Sequence, residues 1–254
     1  MKKDFRLNGL AVLLMFVVLI TGCNKDEEVP DDFSELSFNT QEVMDKLPVG
    51  LTTSTDEKAQ ECVDMIEDAL DMSAFQGNLI VPDNAVRASL KASGDTWKWT
   101  FTYMGETWTF YWTYTEDGSR EYWTMEIQYA DGPKYDYITA WEYKDGSGGE
   151  VVYSFNWVYI YDQEYTEYVD LHWTYAWTMD ASGNYHFEWT WDSEDTEYEY
   201  YIRYSVVIND DGSGSLDYYL NDTLFYHMEW DAAGNGYWHY YFGGYEESGS
   251  WTAG

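Results

Sequence analysis

Aromatic and polar residues alternate along most of the chain, from residue 96 to residue 252. The first clear runs are Trp97-Lys-Trp-Thr-Phe-Thr-Tyr103 and, after a short break, Thr107-Trp-Thr-Phe-Tyr-Trp-Thr-Tyr114. Such alternation is typical of β-strands that bury one face and expose the other to water. Segments rich in Asp and Gly separate the runs and favour tight turns. The pattern therefore predicts consecutive antiparallel hairpins whose aromatic side chains share one face.

The turns also predict how the strands pair. Loops 180–184 and 231–235 have the Asp-x-x-Gly-Asn pattern of a three-residue hairpin loop, and loop 116–119 suits a two-residue turn. In each case an aromatic or apolar residue then meets another, whereas a slip by one residue would place rings opposite Thr and Glu. The predicted pairs are Met179–Tyr185, Trp177–Phe187, Tyr175–Trp189, Trp173–Trp191, Met228–Trp238, Tyr226–Tyr240, Leu224–Phe242, Trp112–Trp123, Phe110–Met125 and Trp108–Ile127.

The expected fold class is all-β, an antiparallel up-and-down meander of about eleven strands in residues 95–254. A flat sheet of this size would expose its whole aromatic face, so the sheet must close into a barrel or fold over as a sandwich. Short, even loops favour the barrel. Because a barrel with more than about eight strands has an interior wider than its own side chains fill, an additional element is expected inside it or over it.

An amphipathic helix is the candidate for that plug or lid. Residues 54–94 are predicted to contain a helix over residues 55–76, followed by a connector, and Ser54-Thr-Asp-Glu57 has the form of a capping box. Cys62 falls on the apolar face, where we expect a buried, inert thiol. Residues 23–53 are predicted to be an acidic tether with one short helical turn near residues 41–47.

The N-terminus has the features of a secretory signal. Lys2, Lys3 and Arg6 precede an apolar run over residues 10–20, which is shorter than the roughly 20 residues that a membrane-spanning helix needs. The run ends in Leu19-Ile20-Thr21-Gly22-Cys23, which resembles the lipobox of bacterial lipoproteins. The resemblance implies that residues 1–22 are removed and that Cys23 is lipidated. The alternative is an ordinary signal peptide that ends near a cysteine.

The residues after the cysteine carry a second resemblance. Asn24-Lys25-Asp26-Glu27-Glu28 is similar to the Lys-plus-acidic tether of surface-exported lipoproteins of the Bacteroidota type. This implies anchoring in the outer membrane through the lipid on Cys23, with the protein exposed at the cell surface. The alternative is a solvated acidic linker, which is what most runs of charge are.

Composition narrows the range of partners. The formal net charge is -34 at pH 7, which disfavours nucleic acid and anionic lipid headgroups as ligands. Lipidation of Cys23 leaves Cys62 as the other cysteine, so no intramolecular disulfide is expected. The sequence contains no glycine-rich phosphate loop or cofactor motif, and we expect a monomer without a cofactor.

Histidines and carboxylates are the candidates for chemistry. The predicted registers place His227 opposite His239, a weak candidate for zinc, which usually needs three or four protein ligands. They also place His172 opposite Asp192, but without a nucleophile at a position that the sequence determines. Carboxylates are so numerous that no pair suitable for glycoside hydrolysis stands out.

Three functions remain open at this point. The first is a non-enzymatic surface lipoprotein whose barrel binds or displays something, with glycans as the candidate ligand because Trp and Tyr rings stack on sugars. The second is a carrier that holds an apolar or lipid ligand in the barrel lumen and resembles lipocalin-like proteins only in general plan. The third is a secreted hydrolase, which requires a cleft with two carboxylates of perturbed pKa.

Overall fold

The structure is a computed structural model that describes residues 39–71, 85–91, 94–103, 105–155, 170–194 and 199–253. The predicted signal peptide, Cys23 and the first part of the tether lie outside the described residues. Among the described residues, no helix combines the length and the apolar character needed to cross a membrane.

In the described part of the chain, thirteen strands form one sheet in which every strand pairs with its neighbours in sequence. All of these pairings are antiparallel, so the predicted all-β meander is confirmed. The strands are β1 (Val86–Lys91), β2 (Gly94–Tyr103), β3 (Glu106–Glu116), β4 (Arg120–Tyr129), β5 (Lys134–Tyr143), β6 (Gly148–Ser154), β7 (Asp170–Met179), β8 (Tyr185–Glu194), β9 (Glu199–Ile208), β10 (Gly214–Leu220), β11 (Thr223–Trp230), β12 (Gly236–Phe242) and β13 (Tyr245–Trp251).

The two strands beyond the predicted eleven are the first and the last. β1 lies in the segment expected to be a connector, and β13 reads Tyr-Glu-Glu-Ser-Gly-Ser-Trp, which lacks aromatic alternation. Because the described strands are odd in number and each is antiparallel to the next, β1 and β13 run in the same direction. Closure into a barrel would therefore require one parallel pair. Among the described residues β1 pairs with β2 and β13 with β12, so closure remains a prediction.

The predicted register is confirmed at the Asp-x-x-Gly-Asn loops. Trp177 pairs with Phe187 across the first loop and Met228 with Trp238 across the second. At the β3–β4 turn the prediction is wrong by two residues, because Trp112 pairs with Met125. The Asp117 N–H donates to the Arg120 carbonyl oxygen at 2.9 Å, so the two loop residues are Gly118 and Ser119, one position later than predicted. A shift of two keeps the rings on the predicted face.

A β-bulge in β5 moves part of that strand to the other face. Met125 pairs with Ile138 but Glu126 pairs with Asp136, so Tyr137 is the extra residue. As a result Glu142, which the alternation placed on the polar side, lies on the buried side with 3% of its surface exposed. Trp141 lies on the outer side, where its indole N–H donates to Glu150 at 3.3 Å.

A second bulge explains why one predicted pair is missing. Leu224 pairs with Tyr219 and Tyr226 with Tyr218, which leaves Phe225 as an additional residue in β11. The β11–β12 register covers Tyr226 to Trp230, so the predicted pair of Leu224 with Phe242 is not formed. The bulge directs the Phe225 ring toward the aromatic side of the sheet, where it contacts Phe242 at a centroid distance of 5.2 Å.

The aromatic face is the core of the protein. Trp112, Trp123 and Phe187 are among its largest fully buried side chains. Rings on paired strands touch, as for Trp173 and Trp191 with centroids 5.3 Å apart. Tilted and edge-on ring pairs of this kind add about 0.5–1.5 kcal/mol each beyond the burial of their area. The rings of this face therefore serve to pack the core and are not mainly a binding surface.

Glycines opposite tryptophans allow the sheet to pack closely at its turns. Gly149, Gly214 and Gly236 are the register partners of Trp177, Trp230 and Trp251, whose indole rings lie where a Cβ would project. The Trp230 indole N–H donates to the Gly212 carbonyl oxygen, and that of Trp251 to Gly234, both at 2.8 Å. The same arrangement is thus used in successive hairpins.

Replacing Gly236 with alanine should destabilise the protein. The new Cβ would overlap the Trp251 indole ring, whose N–H is fixed by a buried hydrogen bond. Overpacking of this kind costs about 1–3 kcal/mol, which urea unfolding followed by tryptophan fluorescence would measure. Gly118→Ala is the control, because a Cβ at Gly118 meets nothing within 4 Å. Equal stability of the two variants would refute this account of the close packing.

Among the residues that the structure describes before the sheet, three helices are present: α1 (Thr40–Asp45), α2 (Val49–Thr52) and α3 (Glu57–Asp71). The helical turn expected near residues 41–47 corresponds to α1, which Asn39 caps by accepting two backbone N–H groups. Val43 and Leu51 are buried in the same core as the sheet, although their segment was expected to be tether. The Lys46 ammonium donates to the Gly183 carbonyl oxygen at 3.0 Å and so joins α1 to the β7–β8 loop.

Helix α3 lies against the aromatic face at β11 and β12. The Lys58 ammonium donates to the Tyr226 hydroxyl at 3.1 Å and lies 4.6 Å from the centre of the Trp238 ring. Burial raises the pKa of Tyr226 to about 12. The helix begins differently from the prediction, since Asp56 rather than Ser54 accepts the N–H groups of the first turn. Because closure of the barrel remains a prediction, the role of α3 as plug or lid remains one too.

Cys62 is buried within α3, as predicted. Burial, and to a lesser extent the neighbouring Glu61, raises the pKa of its thiol to about 12. A thiol that stays protonated at neutral pH is a poor nucleophile and a poor metal ligand.

Candidate functional site

The two histidines singled out by the sequence face each other across β11 and β12, as the register predicted. His227 Nδ1 lies 2.6 Å from Asp217 Oδ1, and His239 Nδ1 lies 2.9 Å from the Tyr241 hydroxyl. The His239 and Tyr241 rings are stacked with centroids 3.9 Å apart. Within the described part of the chain, no group of three or more His, Cys, Asp or Glu side chains could hold a metal ion.

The structure also supplies the serine that sequence reasoning lacked beside His172. Ser154 is the register partner of His172, with its Oγ 3.1 Å from His172 Nδ1, and Asp192 is the partner of His172 on the next strand. A similar contact joins His186 Nε2 to Ser205 Oγ at 3.1 Å. Ser and His side chains that are neighbours across strands on the outer side of a sheet readily make such contacts. Packing of neighbouring side chains therefore accounts for both. Only the β6–β7 pairing, invisible in the sequence, could have identified Ser154.

One pair of carboxylates lies on the buried side. Glu121 and Glu142 are register partners, and the Tyr114 hydroxyl donates to Glu121 at 2.8 Å. Burial, and then the bond to Glu121, raises the pKa of Tyr114 above its ordinary value. The bulge in β5 brings Glu142 to this face. Neither carboxylate lines either of the two surface depressions described below.

The feature with the geometry of a binding site is a depression at the far end of the sheet from α1 and α2. It has a volume of about 410 Å³ and lies between two neighbouring hairpin tips, the β10–β11 turn and the β12–β13 turn. We call it the rim depression. Its lining residues are Leu220, Asn221, Thr223, Phe225, Tyr241, Phe242, Gly243, Gly244, Tyr245 and Glu246.

Both tips are tight turns with left-handed backbone. Asn221 and Asp222 have φ of 49° and 59°, and Gly243 and Gly244 have φ of 57° and 86°. Two consecutive positive φ values are typical of the type I′ turn, which matches the twist of the adjoining strands. A Cβ at either glycine would meet nothing within 4 Å, so the second tip is open to solvent.

Aromatic rings form one wall of the rim depression. Phe242 and Tyr245 are register partners on either side of the second tip and are 58% and 59% exposed. They are two of the five large hydrophobic side chains that are exposed in the described part of the chain. Phe225 supports them from beneath, because it contacts Phe242 and also Tyr240, the latter at a centroid distance of 5.3 Å. Exposed aromatic clusters of this kind often mark binding sites.

Polar groups form the other wall. Asn221, Thr223 and Glu246 line the depression, and the Asn221 side-chain oxygen accepts the Tyr201 N–H at 2.8 Å, which holds the amide in place. The Glu246 carboxylate lies 3.6 Å from His239 Nε2, on the polar face of β12 and β13 and not on the face that carries Phe242 and Tyr245. An aromatic surface beside a few oriented polar groups is the usual composition of a small-molecule site.

A second depression, of about 380 Å³, lies at the opposite end of β11 and β12. It is lined by turn residues such as Asn209 and Asn235 and by Glu229, and it has Tyr237 as its exposed ring. The hydrogen bond from Trp230 to Gly212 fixes the other ring that borders it. The rim depression therefore offers more aromatic surface to a ligand.

The candidate residues named from the sequence do not include those of the rim depression. A local signal was present: Gly243-Gly244 between Phe242 and Tyr245 is a glycine turn flanked by two rings. Because β13 was not recognised as a strand, this signal could not be interpreted as a hairpin tip.

Comparison of the chain with models of protein families, with curated proteins and with solved structures finds no match.

Proposed function

We propose that the protein is a non-enzymatic, lipid-anchored lipoprotein of the outer membrane, exposed at the cell surface, that binds glycans. The observation that supports binding is the pair of exposed rings at the rim depression, Phe242 and Tyr245, in a depression that Asn221 and Thr223 also line. A sugar ring presents C–H groups on its faces and hydroxyl groups around its edge. It can therefore stack on aromatic rings while its hydroxyls bond to amide and hydroxyl groups.

The proposed location at the cell surface rests on the sequence. The apolar run, the lipobox-like Leu19-Ile20-Thr21-Gly22-Cys23 and the Lys-acidic segment after it support a lipid anchor on Cys23 and export to the surface. A tether of this kind would leave the sheet free to contact soluble or wall-bound polysaccharide. A net charge of -34 supports a ligand that is neither nucleic acid nor anionic lipid.

A carrier of apolar ligands in the barrel lumen receives less support. The rings of the central strands pack on each other, and Trp112, Trp123 and Phe187 are almost completely buried. The rim depression and the second depression both lie at hairpin ends and not along those strands. Native mass spectrometry of protein purified from its own host distinguishes this candidate, since a carrier should retain a lipid.

Removing the rings of the rim depression should abolish glycan binding. The experiment screens the purified protein against an array of neutral and acidic glycans and measures Kd for each hit by tryptophan fluorescence. Loss of one stacking ring should weaken binding by about tenfold, which corresponds to 1.4 kcal/mol, in both Phe242→Ala and Tyr245→Ala. Tyr237→Ala is the matched control, because Tyr237 is also exposed but lies at the opposite end of the sheet.

Two outcomes would count against the proposal. Absence of binding to every glycan on the array would remove glycans as the ligand. Binding that Phe242→Ala and Tyr245→Ala leave unchanged, or that Tyr237→Ala weakens instead, would move the site away from the rim depression.

A further inference from the structure

The second depression brings a carboxylate and an aromatic ring together on the outer face of the sheet. Glu229 and Tyr237 both line it and are register partners on β11 and β12. The next pair along these strands, Met228 with Trp238, belongs to the core side, so alternation places Glu229 and Tyr237 on the other side. Side chains directly opposite each other start about 5 Å apart. A small ligand in this depression would therefore meet both groups at once.

The Glu229 carboxylate is accessible to such a ligand. Its side chain is 61% exposed, and its ion-pair partner in the described part of the chain is His227, whose Nε2 lies 3.8 Å away. That separation is longer than a hydrogen bond. The carboxylate can therefore accept hydrogen bonds from a ligand, and its charge attracts a cation.

Tyr237 supplies an aromatic surface beside that charge. It is 36% exposed and belongs to the few large hydrophobic side chains that are exposed in the described residues. The His239 ring meets the Tyr237 ring edge to face, with centroids 6.3 Å apart. The face of a tyrosine ring is electron-rich and attracts a cation placed within about 6 Å of its centre. Ring and carboxylate thus favour the same kind of ligand.

The rest of the lining adds negative charge and side-chain oxygens. Asp231 accepts the side-chain and backbone N–H groups of Asn235, both at 3.0 Å, and these bonds hold the pKa of its carboxyl below the ordinary value. Asn209 and Ser213 line the depression from the neighbouring loop. Among the described residues, the lining includes no Lys, Arg or His side chain. A cation would therefore meet no like charge on these walls.

We infer that the second depression binds an organic cation, an alkylated ammonium group that lies on the Tyr237 ring and pairs with Glu229. A volume of about 380 Å³ falls within the ~300–1,000 Å³ range of small-molecule sites. A metal ion fits less well, because within the described chain no group of three or more His, Cys, Asp or Glu side chains could hold one. The inference goes beyond glycan binding, which concerns the opposite end of β11 and β12.

The test measures the Kd of the purified protein for choline. Saturation-transfer NMR on the choline methyl protons gives the Kd at constant ionic strength. The neutral probe is 3,3-dimethyl-1-butanol, which has the shape of choline without its charge. The wild-type protein should bind choline and should bind the neutral probe more weakly, because both Tyr237 and Glu229 act on the positive charge.

Substitutions at the two residues should each weaken choline binding. Tyr237→Ala should raise the Kd roughly two- to fivefold, since cation–π contacts at exposed sites contribute this much, whereas Tyr237→Phe keeps the ring and should retain binding. Glu229→Gln should raise the Kd by a similar factor. Glu246→Gln is the matched control, because it removes the same charge from a side chain that is 68% exposed but does not line this depression. Exposed substitutions of this kind should leave the fold unchanged.

Three outcomes would overturn the inference. The first is absence of saturable choline binding, or equal affinity for choline and the neutral probe. The second is an equal effect of Glu229→Gln and Glu246→Gln, which would mean that choline responds to the net charge of -34 and not to this site. The third is an unchanged Kd in Tyr237→Ala. Because neutral glycans are measured separately, failure of the glycan assay would leave this inference standing, and failure of choline binding would leave the proposed function standing.

Discussion

Replacing Cys23 with alanine should move the protein from the membrane fraction to the soluble fraction. The lipobox-like segment implies that the Cys23 thiol carries the lipid. Burial of acyl chains contributes about 0.8 kcal/mol per CH₂ group, so loss of the chains removes the anchor itself. Fractionation of cells expressing each variant, followed by intact-mass measurement, would show both the location and the added lipid mass.

Cys62→Ala is the matched control for this prediction. Cys62 is buried in α3, so its substitution removes a thiol without touching the anchor, and the variant should stay in the membrane fraction. If wild type and both variants are all soluble and carry no added mass, the N-terminus is an ordinary signal peptide and the surface-lipoprotein proposal fails.

Replacing Phe187 with alanine should destabilise the protein by about 3–5 kcal/mol. Phe187 is 1% exposed and contacts Tyr175, with ring centroids 6.1 Å apart. The substitution leaves a cavity that surrounding rings on paired strands cannot fill without leaving their register. Urea unfolding monitored by circular dichroism gives the free energy of unfolding and its change.

Phe242→Ala makes the same chemical change at a position that is 58% exposed, and it should cost less than about 1 kcal/mol. It serves as the control for Phe187→Ala and also shows that the binding defect expected of this variant does not arise from unfolding. If both substitutions destabilise the protein equally, the division of the rings into a buried core and an exposed rim is wrong.

Most of the fold could be predicted because two independent signals agree. The Asp-x-x-Gly-Asn loops determine register through backbone conformation, and the alternating rings determine it through burial; both give Trp177 opposite Phe187. The errors occur where one signal is missing or broken. At the β3–β4 turn the Asp117 side chain accepts backbone N–H groups of Ser119 and Arg120, which stabilises a loop one position later than the Asp-Gly pair suggests.

Bulges were a second source of error. A bulge adds one residue without changing the local composition, so the positions of Tyr137 and Phe225 as extra residues leave no trace in the alternation. In β5 the bulge exchanged the faces of Trp141 and Glu142. In β11 it brought Phe225 to the rim, where it supports Phe242. The candidate site therefore depends on a feature that periodicity cannot reveal.

The last strand was missed for a related reason. β13 has Glu247 and Gly249 where the earlier strands have rings, and Gly249 lies opposite Trp238, where it leaves space for that indole. Its end is fixed by Trp251, which donates to the Gly234 carbonyl oxygen. These contacts join positions that are distant in sequence, and without them the Gly243-Gly244 turn could not be recognised as one wall of a site.

The central claim is that the aromatic face is core and that ligands bind at the rim depression. Hydrogen–deuterium exchange on the intact protein, with and without a saturating neutral hexasaccharide from the array, tests it most directly. Protection confined to residues 220–225 and 241–246, with strands β3 to β8 unchanged, is the predicted result. Protection centred on those strands, with the two hairpin tips unaffected, would contradict it.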